Sequence, residues 1–517
     1  GQVMARVTNG STTADVKIRL SGVTEIPHLN VNNMINDSSK VDEVKGKIKT
    51  YIEELKSYMD NIEKLYEGKT IDRENNIYPY DEQTSPLNTT DIEGDRFTLT
   101  LPASEILKGI KDGLNGDIDK EVDRVYNALL AWEQEVQVGF AKKGVFEEVK
   151  DFNKKDGIDA EDQAYFRKHR APLTRLNVKY QRMMMGAAAY ASSHHIGVGF
   201  GSSSYIQGVP YKFNEEGNVT NENEAKLGHE MGHAMDIGDR LYPETSNNLM
   251  TAITATMLNE DSPYASSMSE VYKKVTSNTI GLSTNRSVVV NMLWQPYLAY
   301  EDDITYKMLL TDNDADLSND SFYAKLNRAY REMTAEERAN GDRDQWLIRM
   351  TSKVAGKNLT AFYEAHGIIA NQTTLEYVSK FPEETRKIQY INEEARRRRI
   401  SKTADMAEGT TLTATFGNDS KGTPIKDGSY VDDKKVSINL SVNKSNDNIL
   451  GYEIYRNGEP CGFIQADKAN DTTVYTDIVD NINNRVVTYS AVAYDYNLKP
   501  TNTVKLGTVK IRHEGGV

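Results

Sequence analysis

The sequence predicts an α+β chain of several domains. These are a mixed strand and helix region over residues 1–102, an α-rich domain over 103–402 and an all-β sandwich over 403–517. Three observations carry this. Near the start, ADVKIRLSG alternates Val16, Ile18 and Leu20 with polar residues, the period of a half-buried strand. Through the middle, apolar residues recur at helical spacing. After residue 403, short alternating runs are separated by turn residues, and Asn457-Gly458 is a strong hairpin signal. A chain of 517 residues also exceeds one core, because domains commonly hold roughly 100–200 residues.

Taken in order, residues 39–66 place Val41, Val44, Ile48, Ile52, Leu55, Met59, Ile62 and Leu65 at helical spacing, with Ser39 and Asp42 suited to the start. RFTLTLP at 96–102 returns to strand alternation. KEVDRVYNALLAWEQEV puts Val122, Val125, Leu129, Trp132 and Val136 on one face of a helix. HHIGVGFGSSSYIQG, 194–208, is dense in glycine and serine and reads as an extended strand and turn. The run RRRR at 396–399 closes a helix, where cations suit the negative end of the dipole and face solvent. KKVSINLSV, ILGYEIYRNGEPCGFI, TTVYTDI, RVVTYSAVAYDY and NTVKLGTVKI are the strands of the C-terminal sandwich, and YEIYRNG and TYSAVAYD resemble a fibronectin type III or immunoglobulin-like module.

Composition narrows the partners. A net charge of −14 repels polyanions, so nucleic acid is not an expected partner. No apolar run approaches the ~18–20 residues that cross a bilayer. Cys461 is the single cysteine, so no disulfide forms within the chain. The opening GQVMARVTNG shows no basic and apolar leader, as in a piece of a longer protein.

The chemistry gathers at GHEMGHAMDIGDRLYPETSNN, 228–248. Residues 222–236 suit one helix, on which His229 and His233 stand a turn apart and can reach one metal ion. Glu230 lies about 100° further round, where a base must stand to take a proton from a zinc-activated water. Gly228 and Gly232 each lower helix propensity by roughly 1 kcal/mol, which points to a close approach by backbone or substrate. A catalytic zinc takes three protein ligands, and Asp236, Asp239 and Glu244 are the candidates for the third. In HExxHxxGxxH proteins a glycine turns the chain back to the ion, but Asp236 holds that position here and Gly238 comes two residues late. Asp239 therefore has the spacing without the turn. Glu244 opens a second apolar-periodic segment, ETSNNLMTAITATMLN, which can carry its carboxylate back as the second half of a helix–turn–helix. Glu244 is the favoured ligand and Asp239 the alternative. Asp236 and Asp239 also suit acceptors for a ligand imidazole, and Asn247 and Asn248 suit groups that orient the Glu244 carboxylate.

HExGH followed by ETSNN resembles the enhancin-like and mucinase-type zinc metallopeptidases, peptidase family sixty. KIRLSGVTEIPHLNV, the glycine-rich 194–208 stretch and GKNLTAFYEAHGI at 356–368 are similar to further family segments, so the resemblance covers roughly residues 10–400. It implies a gluzincin-like catalytic domain with zinc bound by His229, His233 and Glu244. It also implies a secreted or surface-attached bacterial protein that acts on mucins and other O-glycosylated proteins, a monomeric piece of a larger modular chain. From the residues themselves, the 194–208 strand is suited to pair with an extended substrate, with His194, His195, Phe200 and Tyr205 lining the cleft, the two histidines alternatively being ordinary polar residues at a strand end; core packing is the favoured role of Trp294 and Tyr297, with stacking on a sugar as the alternative. TDNDADLSND, 311–320, starts like a calcium loop, but Leu317 stands where glycine is needed and Tyr323 where glutamate is, so a solvated acidic loop is expected.

Overall fold

A computed structural model describes residues 24–65, 80–147, 160–172, 174–182, 184, 187, 189–192, 195–207, 212–213, 219–220, 224–257, 261–301, 321–431, 434–479 and 485–511. The strand read in ADVKIRLSG and the acidic 311–320 loop lie outside these residues. The chain divides into two compact units, 1–139 with 172–234 and 308–313, and 140–171 with 235–307 and 314–517.

The first unit is built on a six-stranded mixed sheet. Its strands are β1 (His28–Asn30), β2 (Thr90–Glu93), β3 (Phe97–Leu101), β4 (Leu176–Tyr180), β5 (Ala189–Ala191) and β6 (Ile196–Val198), in the order β1-β2-β3-β4-β6-β5. β2–β3 and β5–β6 run antiparallel, and β1–β2, β3–β4 and β4–β6 run parallel. Phe97, Leu99 and Leu101 alternate with threonines and are buried, so RFTLTLP forms the strand its period dictates. The helix Val41–Ile62 buries Val44, Ile48, Ile52, Leu55 and Ile62 of its stripe, while Val41 and Met59 are half-buried and Leu65 lies past its end. Its entry differs from the sequence reading: Asp37 accepts from the Ser39 amide and caps a 3-10 turn, Ser38–Lys40, ahead of the helix. In the long helix Ile118–Lys143, Val125, Leu129, Trp132 and Val136 are fully buried.

Past β6 the glycine-rich stretch turns into a 3-10 segment, Ser203–Ile206, seated on the helix Ala103–Lys111. A Cβ on Gly109 would stand 2.1 Å from the Ser203 carbonyl, so this contact requires glycine. The Ser203 amide donates to Glu105 at 3.2 Å, and the Trp132 indole donates to the Tyr205 carbonyl at 2.9 Å. A short hairpin, β7 (Lys212–Phe213) with β8 (Val219–Thr220), precedes the helix Glu224–Met235.

The second unit is helical up to residue 400 and β-rich beyond it. One sheet runs β10 (Tyr430–Val431), β16 (Val504–Ile511), β15 (Arg485–Asp495), β12 (Ile449–Arg456), β13 (Glu459–Gln465), and the other runs β14 (Thr473–Ile478), β11 (Lys435–Val442), β9 (Leu412–Phe416). Leu412, Val436, Ile438 and Leu440 of the smaller sheet share one core with Tyr452, Ile454, Val487, Tyr489 and Val509 of the larger. Asn457 and Gly458 turn β12 into β13 with φ of 54° and 88°, the pair of positive values that a tight hairpin turn needs.

The arginine run corrects a sequence expectation. The helix Glu393–Ile400 does end there, but Arg396 is fully buried, its Nε donating to the Glu301 carbonyl at 2.7 Å and its guanidinium lying over Tyr297. Arg397 and Arg398 both pair with Glu394, at 2.8 and 2.6 Å, and Arg398 also donates to Asn448 at 3.0 Å. Glu394 of the same helix, the Glu301 carbonyl and Asn448 take these cations, so the run is a set of structural anchors rather than a solvated face.

Candidate metal centre

His229, Glu230 and His233 sit on the helix Glu224–Met235, which stops short of Gly238 as its sequence suggests. Their four-residue spacing brings the two imidazoles to one face, ring centroids 5.0 Å apart and planes at 89°. The ligating atoms of His229, His233 and Glu244 all lie within 4.8 Å of one another, and no other group of three such side chains occurs among the described residues. Both histidines are half-buried, Glu244 is exposed and Glu230 is only 7% exposed. Two imidazoles and one carboxylate are the donor set of catalytic divalent-metal sites that keep a fourth position open, so these residues fit such an ion. Gly228 and Gly232 are both buried.

Glu244 reaches the histidines by a route the apolar period does not show. It stands in a turn ahead of a 3-10 segment, Ser246–Asn248, and of the helix Leu249–Met257, not on that helix. Its φ is +56°, in the left-handed region that a residue with a Cβ rarely enters. Asn248 donates from Nδ2 to the Glu244 carbonyl at 3.1 Å and so holds the backbone of that residue.

Asp236 is likewise placed differently from the sequence reading. Its carboxylate accepts from the Ser246 hydroxyl and the Ile237 amide and pairs with Arg240 at 3.5 Å. Asp239, the alternative third ligand, is bound to Arg338 at 2.7 Å. Ser246 and Arg240 drew no attention as sequence. A serine two residues after an acidic turn residue is too common a pattern to signal a role.

Of the residues proposed to meet substrate, His195 has one ring nitrogen at 2.9 Å from the Tyr190 hydroxyl and the other at 3.0 Å from Ser192, where β5 passes into β6. His194 lies outside the described residues. Phe200 meets Tyr180 edge to face at 6.0 Å. Tyr205 is buried and stacks on Trp132 at 6.0 Å. Burial, and secondly the charge of Glu230, hold its hydroxyl well above the usual phenol range, so the tyrosine lies within the field of the candidate base.

Trp294 packs in the core, the favoured of its two sequence readings, and its placement at the substrate is corrected. It is fully buried, donates from Nε1 to Glu393 at 3.0 Å and stacks on Tyr297 at 4.3 Å, so neither ring meets a sugar from solvent. Every residue from Val288 to Ala299 of the helix Arg286–Tyr300 is buried. A helix apolar on all sides belongs in a core, and that signal was present in the sequence. Beside it the Glu393 carboxyl, which accepts from the Ser262 amide at 2.7 Å, is pushed up to about 7 by burial. No helix among the described residues is long and apolar enough to cross a membrane.

Residues 79–367, more than half of the chain, match the family described as Peptidase M60, enhancin and enhancin-like. No curated protein matches the sequence. Among solved structures, the M60 catalytic domain of Clostridium perfringens ZmpC, in complex with the sialyl T antigen, is 21% identical with a TM-score of 0.60, covering 93% of this chain and 76% of that one. The ZmpB metallopeptidase of Clostridium perfringens is 20% identical with a TM-score of 0.60, covering 94% and 77%. The catalytic module of the Clostridium perfringens metalloprotease ZmpA is 17% identical with a TM-score of 0.57, covering 93% and 74%. At these identities the likeness shows a shared fold. Its coverage runs past residue 402 into the C-terminal strands, since residues 403–517 are more than a fifth of the chain. Sequence pattern and fold agree, and the chain belongs to the peptidase M60 family, enhancin and enhancin-like, a family of metal-dependent peptidases.

Proposed function

We propose that this chain is a zinc-dependent endopeptidase that hydrolyses peptide bonds of O-glycosylated, mucin-like proteins. The observation that carries the reading is the convergence of His229, His233 and Glu244, with ligating atoms within 4.8 Å, on the helix turn that also presents the buried Glu230. A zinc ion there supplies Lewis-acid polarisation of a carbonyl and lowers the pKa of water to around 7. The two imidazoles and the Glu244 carboxylate hold the ion. Glu230 takes the proton of the attacking water and passes it to the leaving amine, and its burial keeps bulk water from competing for that carboxylate. Tyr205, within the field of Glu230, and His195, just ahead of β6, are the residues we place on the substrate side.

The glycan part of the reading is supported by the related ZmpC domain, which is in complex with the sialyl T antigen. In the same reading residues 1–102 and 103–402 form the peptidase and 403–517 a fibronectin III or immunoglobulin-like sandwich. The chain acts outside the cell as a monomeric piece of a larger modular protein.

The test is one peptide offered with and without a single N-acetylgalactosamine, with products read by mass spectrometry. Cleavage that largely depends on the sugar supports the proposal. Equal cleavage of both peptides makes the chain a general zinc peptidase, and retention on mucin with no new N-termini makes it an adhesion module.

A further inference from the structure

Glu244 is exposed, and the backbone of its turn sets the direction in which its side chain leaves the chain. That backbone is in the left-handed region, φ +56°, which a residue with a Cβ rarely adopts because the Cβ crowds the following carbonyl. A conformation of this kind persists where its surroundings over-determine it. The surroundings are a compact hydrogen-bonded knot. The Ser246 hydroxyl donates to Asp236 and accepts from the Tyr242 amide at 3.0 Å. Arg240 stands 3.5 Å from the other Asp236 oxygen, and both side chains are 5% exposed, where water screens the pair little. The Thr245 and Ser246 amides both donate to the Tyr242 carbonyl, at 2.9 and 3.0 Å, and Asn248 holds the Glu244 carbonyl. Outside the knot, Asp239 is tied to Arg338, and Tyr242 donates to Asp344 at 2.6 Å beneath the Arg343 guanidinium.

We infer that Ser246, Asp236 and Arg240 form a clasp that holds the Glu244 turn in its ligating shape, and that they are positioning residues for the third metal ligand. This rests on the ligand assignment proposed above. The clasp joins the residue that follows the metal helix to the residue two places after the ligand, closing the intervening loop at its base. Without it the left-handed turn relaxes and Glu244 swings away from the histidines.

The experiment compares wild type, Ser246→Ala, Ser246→Thr and Glu244→Ala, each stripped of metal and titrated with zinc against a chromophoric chelator, then with cobalt(II), whose visible absorption reports coordination. Ser246→Ala is expected to bind zinc about 10–100-fold more weakly, with an altered cobalt spectrum, and Ser246→Thr, which keeps the hydroxyl, to restore both. Zinc affinity and cobalt spectrum of Ser246→Ala equal to wild type, with Glu244→Ala clearly weakened, overturn the clasp and leave the ligand assignment standing. Wild-type affinity in Glu244→Ala overturns the assignment and the clasp with it. If Ser246→Ala does not fold, Asp236→Asn takes its place with the same direction expected, and unchanged zinc affinity there is the overturning result.

Discussion

Asp239 is held by Arg338 at 2.7 Å, while Glu244, five residues on, has its carboxylate beside His229 and His233. The two acidic residues that compete as third ligand in the sequence thus have separate partners. Glu244→Ala is expected to lower bound zinc per chain sharply, and Asp239→Ala to leave it near wild type. The Asp239–Arg338 pair is 35% and 38% exposed, so its loss costs at most about 1 kcal/mol of stability. Metal content by mass spectrometry after dialysis checks the ranking, and the reverse order would move the ligand to Asp239.

Glu230→Gln keeps the shape of the side chain and removes its ability to accept a proton. Cleavage of an O-glycoprotein is expected to fall by about 10²–10⁴-fold, with zinc content unchanged. Turnover at the wild-type rate in this variant would exclude Glu230 as the base.

Trp294 is a core residue, so its replacement acts on stability. Trp294→Ala is expected to cost about 3–5 kcal/mol in urea denaturation, partly because it removes the donor to buried Glu393. In protein that remains folded, KM for a glycopeptide should not move. A variant of full stability with a raised KM would return the indole to the substrate site.

His366 gives a pH dependence with a definite sign. It is buried, donates from Nε2 to the Gln295 amide oxygen at 2.9 Å, and its pKa is lowered to about 3 by burial and secondly by the charge of Lys274. Above its unfolded value near 6.5 both states are neutral, and the contribution to stability is complete. As pH falls from 6.5 towards 3, the unfolded chain takes a proton that the folded one refuses, and stability drops by up to roughly 1.4 kcal/mol per pH unit. Between pH 7 and 5 the wild type should therefore lose about 2 kcal/mol more than His366→Gln. Equal losses in guanidinium titrations of the two proteins would show that His366 titrates freely when folded.

What sequence alone determined was whatever depends on neighbours a few residues apart. The pairing of His229 with His233 follows from helical pitch, the hairpin at Asn457-Gly458 from the positive φ both residues tolerate, and the buried faces of Val41–Ile62 and Phe97–Leu101 from their periods. The family was readable for the same reason, since GHEMGH and ETSNN are local patterns. Tertiary structure decided the rest. Parallel pairing of β3 with β4 joins strands about 75 residues apart, and no local period encodes such a partner. Arg396 read as a solvated group until the packed structure supplied the Glu301 carbonyl, and the partner of the Trp294 indole, Glu393, lies 99 residues along the chain. Glu244 was nominated by its place in the chain, but its arrival at the histidines depends on a left-handed turn fastened by Ser246 and Asp236. That fastening is a contact across ten residues, worth its energy only once the loop has closed, which is why spacing could name the ligand and not explain it.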